Sequence, residues 1–238
     1  MLNLLEGSNP SPSAMNAEKN KSMNDALKSP DPLVVTELAQ HGAATVGESG
    51  GRTMAARIKP AWTGAQLVAP AYPVQCTTGD NLAIHYAVTR APVGSVLVVD
   101  VGTEREFGYW GEVLTTAAIT AGLAGLIIDG CVRDAAALTR HKFSVFSTGL
   151  ALPGASKNSG GMVGDPVMAG GVMVAAGDWV VADVDGVSVI AAAELDNVVL
   201  AARARTENEE VIFDRLRAGE STIEILGLDS SVIKDADA

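Results

Sequence analysis

Positive charge is in short supply in this chain. Its 17 Lys and Arg stand against 28 Asp and Glu, a formal net charge of −11. That balance leaves no broad basic face to displace counterions from a nucleic acid, so no nucleic-acid partner is expected. Cysteine is scarce too. Cys76 and Cys131 are too few for a disulfide framework and too far apart for a CxxC pair, which predicts reduced thiols and a cytoplasmic protein. No apolar run approaches the roughly 18 residues of a membrane span, so no membrane partner is expected. The start MLNLLEGSNPSPSAMNAEKNKS lacks the basic beginning and long apolar stretch of a signal peptide. There is no phosphate-cradling G-x-x-x-x-G-K-[ST] loop, no dinucleotide fingerprint and no G-x-S-x-G elbow, which sets aside nucleotide binding and that form of serine catalysis. His41, His85 and His141 lack metal-ligand spacing.

What is present is Ala, Val and Gly. Apolar residues make up 47 % of 238 and glycine contributes 25, the profile of an α/β protein with one sizeable core. Residues 1–28 are Ser-, Asn-, Pro- and Lys-rich without periodicity and read as a disordered arm. One domain is expected over 29–228 and a flexible tail over 229–238. A helix begins after Pro32 at 33–39. The strand region 65–76 contains prolines that mark an edge or a bend. Residues 80–88 read as a helix capped by Asp80, with Leu82 and Tyr86, and Ile84 and Val88, on apolar diagonals. A buried strand at 95–101, a helix ended at Gly122, a strand at 123–129, a short helix at 135–140 and a strand at 144–147 follow. Beyond the glycine-rich passage 154–161 lie short strands, separated by the turn signals Gly177-Asp178 and Asp185-Gly186. A long helix from 194 to 218 stops at Gly219. This is an α/β chain with two sheet layers flanked by helices.

The most informative spacing is Glu112, twenty residues, then Arg133-Asp134. A helix of about 11 residues runs about 16 Å one way and a strand of about 6 returns about 20 Å. All three residues therefore fall at one sheet edge, outside the carboxyl ends of the strands, where open α/β sheets bind ligands. Each has a plain reading beside a chemical one. Arg133 ties down a turn through Asp134 or Asp129, or its planar fork grips a carboxylate or phosphate. Asp134 caps the helix after it, or ligates a hard divalent cation. Glu112 complements a helix dipole, or orients water and accepts a proton. Gly108 and Gly111 precede the helix, so the amides of Glu112, Val113 and Leu114 are first-turn donors able to hold a carboxylate. Lys157 supplements anion binding or is a solvated loop residue. His85 reads as a partly buried structural histidine, and Cys131 as an inert buried thiol.

Two segments, WGEVLTTAAITAGLAGLIIDGCVRDAAAL (110–138) and VMAGGVMVAAGDWVVADVDGVSVI (167–190), resemble the RraA-like family. GDNLAIHYAV (79–88) and GYWGE (108–112) look closest to its 4-hydroxy-4-methyl-2-oxoglutarate/4-carboxy-4-hydroxy-2-oxoadipate aldolase branch. The resemblance implies an α–β–β–α sandwich of the swivelling-domain type, built into homotrimers or homohexamers with inter-subunit active sites. It implies cleavage of small oxo-acid substrates to pyruvate, dependent on Mg²⁺, Mn²⁺ or another divalent cation, and decarboxylation of oxaloacetate. Asp134 would bind the metal, and Arg133 the pyruvyl carboxylate or carbonyl. Glu112 would contact water on the metal, while Gly111 and the amides of Val113 and Leu114 would hold the substrate carboxylate. A neighbouring subunit's long helix would add a glutamate, best matched by Glu209 and next by Glu210. Other members are named for binding and inhibiting a ribonuclease, so a protein-binding regulator is the alternative implied. Two departures stand out: Glu112 occupies a position that is often Asp, and the ending GESTIEILGLDSSVIKDADA is that of general RraA-like members.

Overall fold

A computed structural model describes residues 31–234; the arm expected at 1–28 and the last residues of the tail lie outside them. In chain order these residues form α1 (Pro32–Glu48), β1 (Arg52–Thr53), β2 (Lys59–Pro60), β3 (Leu67–Cys76), α2 (Leu82–Val88), β4 (Val96–Asp100) and α3 (Glu112–Thr120). Then come β5 (Gly125–Asp129), β6 (Cys131–Val132), α4 (Ala135–His141), β7 (Ser144–Ser147), β8 (Gly149–Leu150), β9 (Gly161–Val163), β10 (Val167–Ala169) and β11 (Val172–Val174). β12 (Trp179–Ala182), β13 (Val187–Ile190), a 3₁₀ turn, α5 (Leu195–Arg217) and α6 (Thr222–Leu226) complete the fold. No helix among the described residues is long and apolar enough to cross a membrane.

The main sheet runs β1-β13-β12-β3-β4-β5-β7-β2, with β9 added on β3. β3 is its pivot. Residues 67–70 pair antiparallel with β12, whereas 71–75 pair parallel with β4. Pro70 and Pro73 thus sit in a central strand at a bend rather than at an edge. At the changeover the Ala71 amide donates to the Asp178 carbonyl, so losing a donor at Pro70 leaves the bend pinned by its neighbour.

The strands leaving the bend are buried on both faces, as parallel strands flanked by other layers are. Leu97, Val99, Leu126 and Ile128 pack under α2, α3 and α4 with Ile84, Leu114 and Leu138. Val96, Val98 and Ile127 face the other way, against Val180, Val187 and Val189 of the curled-over half of the sheet. α1 and α5 cover that half through Leu38, Val46, Val181 and Val198. The result is the expected α–β–β–α layering, its sheet curled into a half-barrel.

Local departures have local causes. α1 runs well past residue 39 and kinks at Gly42 (φ 78°), where the Asp183 carboxylate accepts from the Ala43 amide and restarts the helix. Of the two diagonals on α2, Ile84 and Val88 are buried, whereas Leu82 and Tyr86 are exposed. Asp80 lies one residue before the N-cap position, Asn81. The extra helix α6 begins with a capping box between Ser221 and Glu224, a signal legible as S-T-I-E.

Candidate active site

Trp110 sets the geometry of the site. It is fully buried, donates from Nε1 to Thr115 Oγ1 at 2.7 Å and stacks on Phe143, fixing the entry to α3. Its carbonyl accepts from the Arg133 amide at 2.8 Å, which ties the start of α3 to the segment leaving β6. Glu112, Arg133 and Asp134 are thereby gathered at one sheet edge, as their spacing predicted.

Asp134 does not behave as a cap for α4. Its backbone is left-handed (φ 60°, ψ 37°), and it makes no side-chain bond to its own helix. Instead Oδ2 accepts from the Glu112 amide at 3.0 Å, so the carboxylate caps α3 across 22 residues of sequence. Aspartate tolerates this backbone region better than most residues, and a non-glycine held there is a feature to explain. The Arg133 guanidinium approaches it loosely, Nε to Oδ2 being 3.9 Å. Asp129, the other proposed tie for Arg133, is engaged by Arg57 and Arg105.

Glycine makes the approach possible. A Cβ at Gly111 would overlap Asp134 Oδ2, and one at Gly108 would come within 2.8 Å of Arg133 Cδ. Gly111 has φ −161°, open to any residue, so space rather than backbone strain requires it. Gly111→Ala is expected to displace the Asp134 carboxylate from the Glu112 amide with little change in melting temperature. A crystal structure of the variant beside a thermal melt checks this; a carboxylate still bonded to the Glu112 amide refutes it.

An open cleft of about 140 Å³ lies over these residues. It is lined by Gly111, Val113, Leu114, Arg133 and Asp134 together with Asn81, His85, Gly154 and Lys157, Gly154 lying so close to Arg133 that a Cβ there would come within 3.2 Å of Nη1. Gly111 supplies no side-chain acceptor to α3, so the amides of Val113 and Leu114 remain first-turn donors. Burial, with the Lys157 charge second, pulls the His85 pKa below its ordinary value. Asn81 and Tyr109 were not anticipated. Asn81 Nδ2 donates to the Tyr109 carbonyl at 2.8 Å, and its buried Oδ1 has no partner among the described residues.

Two expected residues stand apart. The Glu112 carboxylate turns to α4, accepting from Arg140 Nη2 at 2.9 Å and lying 3.4 Å from His141 Nε2, and it does not line the cleft. Glu209 pairs with Arg205 on α5, a helix that gives no residue to the cleft of its own chain. Cys131 is buried, its thiol beside Thr148. No group of three or more His, Cys, Asp or Glu among the described residues is placed to hold a metal ion. Asp134 offers a single carboxylate, which fits a hard cation completed by substrate and solvent oxygens.

The profile of the RraA-like family, Aldolase/RraA, matches residues 23–189. A protein of Halalkalibacterium halodurans named as a candidate 4-hydroxy-4-methyl-2-oxoglutarate aldolase is 35 % identical over 153 residues, 64 % of this chain and 73 % of that one. An uncharacterized protein from Pseudomonas syringae superposes with a TM-score of 0.72 at 25 % identity, over 82 % of this chain and 93 % of that one. Streptomyces coelicolor RraAS2, described as an unusual member of the RNase ES inhibitor RraA family, gives 0.67 at 28 % identity, over 79 % of this chain and 98 % of that one. The chain belongs to the RraA-like, Aldolase/RraA family.

Proposed function

We propose that the chain is a divalent-metal-dependent aldolase. It would cleave a 4-hydroxy-2-oxo-dicarboxylate or tricarboxylate, such as 4-hydroxy-4-methyl-2-oxoglutarate or 4-carboxy-4-hydroxy-2-oxoadipate, to pyruvate and an oxo acid, with oxaloacetate decarboxylation as a side activity. The observation that carries this reading is the left-handed Asp134 carboxylate, set beside Arg133 and against the open first turn of α3. Asp134 would hold Mg²⁺ or Mn²⁺, and the bound ion would polarise the 2-oxo group as a Lewis acid.

The chain's own groups supply the rest. The Val113 and Leu114 amides bind the carboxylate next to the 2-oxo group. As the C3–C4 bond breaks, its electron pair passes to the C2 oxygen, and Arg133 stabilises the resulting enolate charge. The C4 hydroxyl loses its proton, through water, to Glu112, and the C4–O bond becomes a carbonyl. Return of that proton from Glu112, through water, to C3 completes pyruvate. Glu112 must leave Arg140 for this, and Glu209 of a neighbouring copy in a cytoplasmic homotrimer or homohexamer is the acid proposed to assist it.

A coupled assay of pyruvate release from 4-hydroxy-4-methyl-2-oxoglutarate and oxaloacetate, with Mg²⁺, with Mn²⁺ and with EDTA, tests the reading. Metal-stimulated, EDTA-abolished release is expected; no release from either substrate with either ion overturns it. The RraAS2 relative supports the second reading, a protein-binding regulator of ribonuclease activity. Inhibition of a purified ribonuclease by the chain, without pyruvate release, would favour it.

A further inference from the structure

Every N–H that an arginine spends on the protein is one it cannot offer to an anion. Arg133 spends none: among the described residues its guanidinium donates no hydrogen bond, and its ion pair with Asp134 is loose at 3.9 Å. With its side chain 45 % exposed, it is placed by packing against backbone. A Cβ at Gly108 would come within 2.8 Å of Arg133 Cδ and 3.1 Å of Cγ, whereas one at Gly154 would come within 3.2 Å of Nη1. Gly108 therefore backs the stem of the side chain and Gly154 backs its charged end. The two glycines are themselves joined by an isolated parallel bridge, in which the Gly108 amide donates to the Pro153 carbonyl at 2.7 Å.

Gly154 is fastened on both sides. Upstream, the Ala151 amide donates to the Val132 carbonyl at 3.0 Å. Downstream, the chain forms no strand until β9 begins at Gly161, and what fixes it is Asp80, a carboxylate 1 % exposed. Asp80 Oδ2 accepts from Ser156 Oγ at 2.7 Å, the Asn158 amide at 2.6 Å and the Ser159 amide at 3.0 Å. Its Oδ1 accepts from the Leu82 amide at 2.8 Å, joining the loop to the first turn of α2. The Asn81 amide donates to the Ser156 carbonyl and the Ser156 amide to the Gly79 carbonyl, a second short bridge. One buried carboxylate thus clamps the chain from two residues beyond the glycine that backs the Arg133 guanidinium.

We propose that Asp80 is a positioning residue for Arg133: by clamping residues 156–159 it keeps Gly154 against the guanidinium, which stays oriented while all of its N–H groups remain free for an anion. Ordering a long side chain before the ligand arrives is worth up to about tenfold in affinity. The catalytic consequence rests on the aldolase reading, in which Arg133 stabilises the enolate. The placement of the guanidinium does not depend on that reading and can be measured without turnover.

The test is Asp80→Ala, read first by the NMR order parameter of the Arg133 Nε–H group, whose signal is identified by its loss in Arg133→Ala. The group is expected to be ordered in the unaltered chain and mobile on the ps–ns timescale in Asp80→Ala. A signal mobile in both, or ordered in both, overturns the proposal. Calorimetric binding of pyruvate with Mg²⁺ gives the energetic side. Asp80→Ala should weaken it about fivefold, yet by less than about 1.5-fold when Arg133 is already alanine, because the two residues act as one unit. Equal losses in both backgrounds would show that Asp80 acts on the site without Arg133, and would overturn the proposal. Ser156→Ala removes one bond of the clamp at an exposed position. It should reproduce both changes at smaller size with an unaltered thermal melt, and it decides the matter if Asp80→Ala does not fold. If the unaltered chain binds no pyruvate, the aldolase reading fails, and the Arg133 signal alone decides the role of Asp80.

Discussion

On the aldolase reading, Asp134→Asn is expected to lower metal-stimulated pyruvate release by about 10³-fold or more, with the fold intact. Asparagine is the informative replacement because it separates two roles that alanine would remove together. It tolerates the left-handed backbone of residue 134, and its amide oxygen can still accept from the Glu112 N–H. What it lacks is the charge a hard cation requires. Alanine would lose the charge and the acceptor, and would add about 1–2 kcal/mol of backbone strain. The measurement is pyruvate release as a function of Mg²⁺ concentration, beside a thermal melt. A normal melt with no metal response supports the assignment. A response equal to that of the unaltered chain removes Asp134 as the ligand.

The largest expected effect on stability lies at Asp129. Its carboxylate, with a side chain 3 % exposed, accepts from Arg57 Nε and Nη2 at 2.9 and 2.7 Å, from Arg105 Nε at 3.0 Å and from the Gly170 amide at 3.1 Å. It thus fastens the end of β5 to the segment before β2, the loop before α3 and the β10–β11 turn. Both arginines are partly exposed and can rehydrate, so Asp129→Ala is set at the lower end of the cost of breaking a buried pair, about 3 kcal/mol. For a chain of this size that is a fall of roughly 6–12 °C in Tm, read by calorimetry. A fall under about 2 °C would mean the carboxylate contributes little.

The same carboxylate gives a pH signature. Burial alone would raise the Asp129 pKa, but the hydrogen bonds from Arg57 and Arg105 hold it below the ordinary value. Asp80 behaves alike: burial opposes, while Ser156 Oγ and three backbone amides bring it down to about 2. A carboxyl group whose folded pKa is depressed adds stability that is complete above its unfolded pKa and is lost as pH falls through the folded one. Stability should therefore drop as pH falls from about 4 toward 2, and the drop should be shallower in Asp129→Ala.

How much of this was legible in the sequence depended on the range of the force concerned. Gly122 and Gly219 end their helices with φ of 74° and 97°, a backbone preference that acts within one turn and can be read directly. The common edge of Glu112, Arg133 and Asp134 was likewise legible, because a helix and a returning strand have known lengths. The direction of the Glu112 side chain was not. It is set by Arg140 and His141 on a different helix, and nothing near residue 112 announces them. The partner of Asp134 was hidden for a related reason: its local pattern admits an N-cap for the helix that follows, but its acceptor serves a helix 22 residues earlier. Asp80 looked like a helix cap from its neighbours alone, whereas most of its bonds go to residues 156–159. Residues that join distant segments are the ones that local patterns describe least well.

The change of partners along β3 also bears on how the chain acquires its structure. Residues 71–75 can pair with 96–100 once that strand has been synthesised, but residues 67–70 must wait for 179–182. During N-to-C synthesis the first half of the strand therefore stays unpaired on its β12 side while more than a hundred further residues emerge. α1, which packs on β12 and α5, waits as long. Long-range pairing of this kind is slow and leaves strand edges open. Assembly of the parallel half should precede closure of the curl, with Pro70 of β3 at the boundary between the two stages.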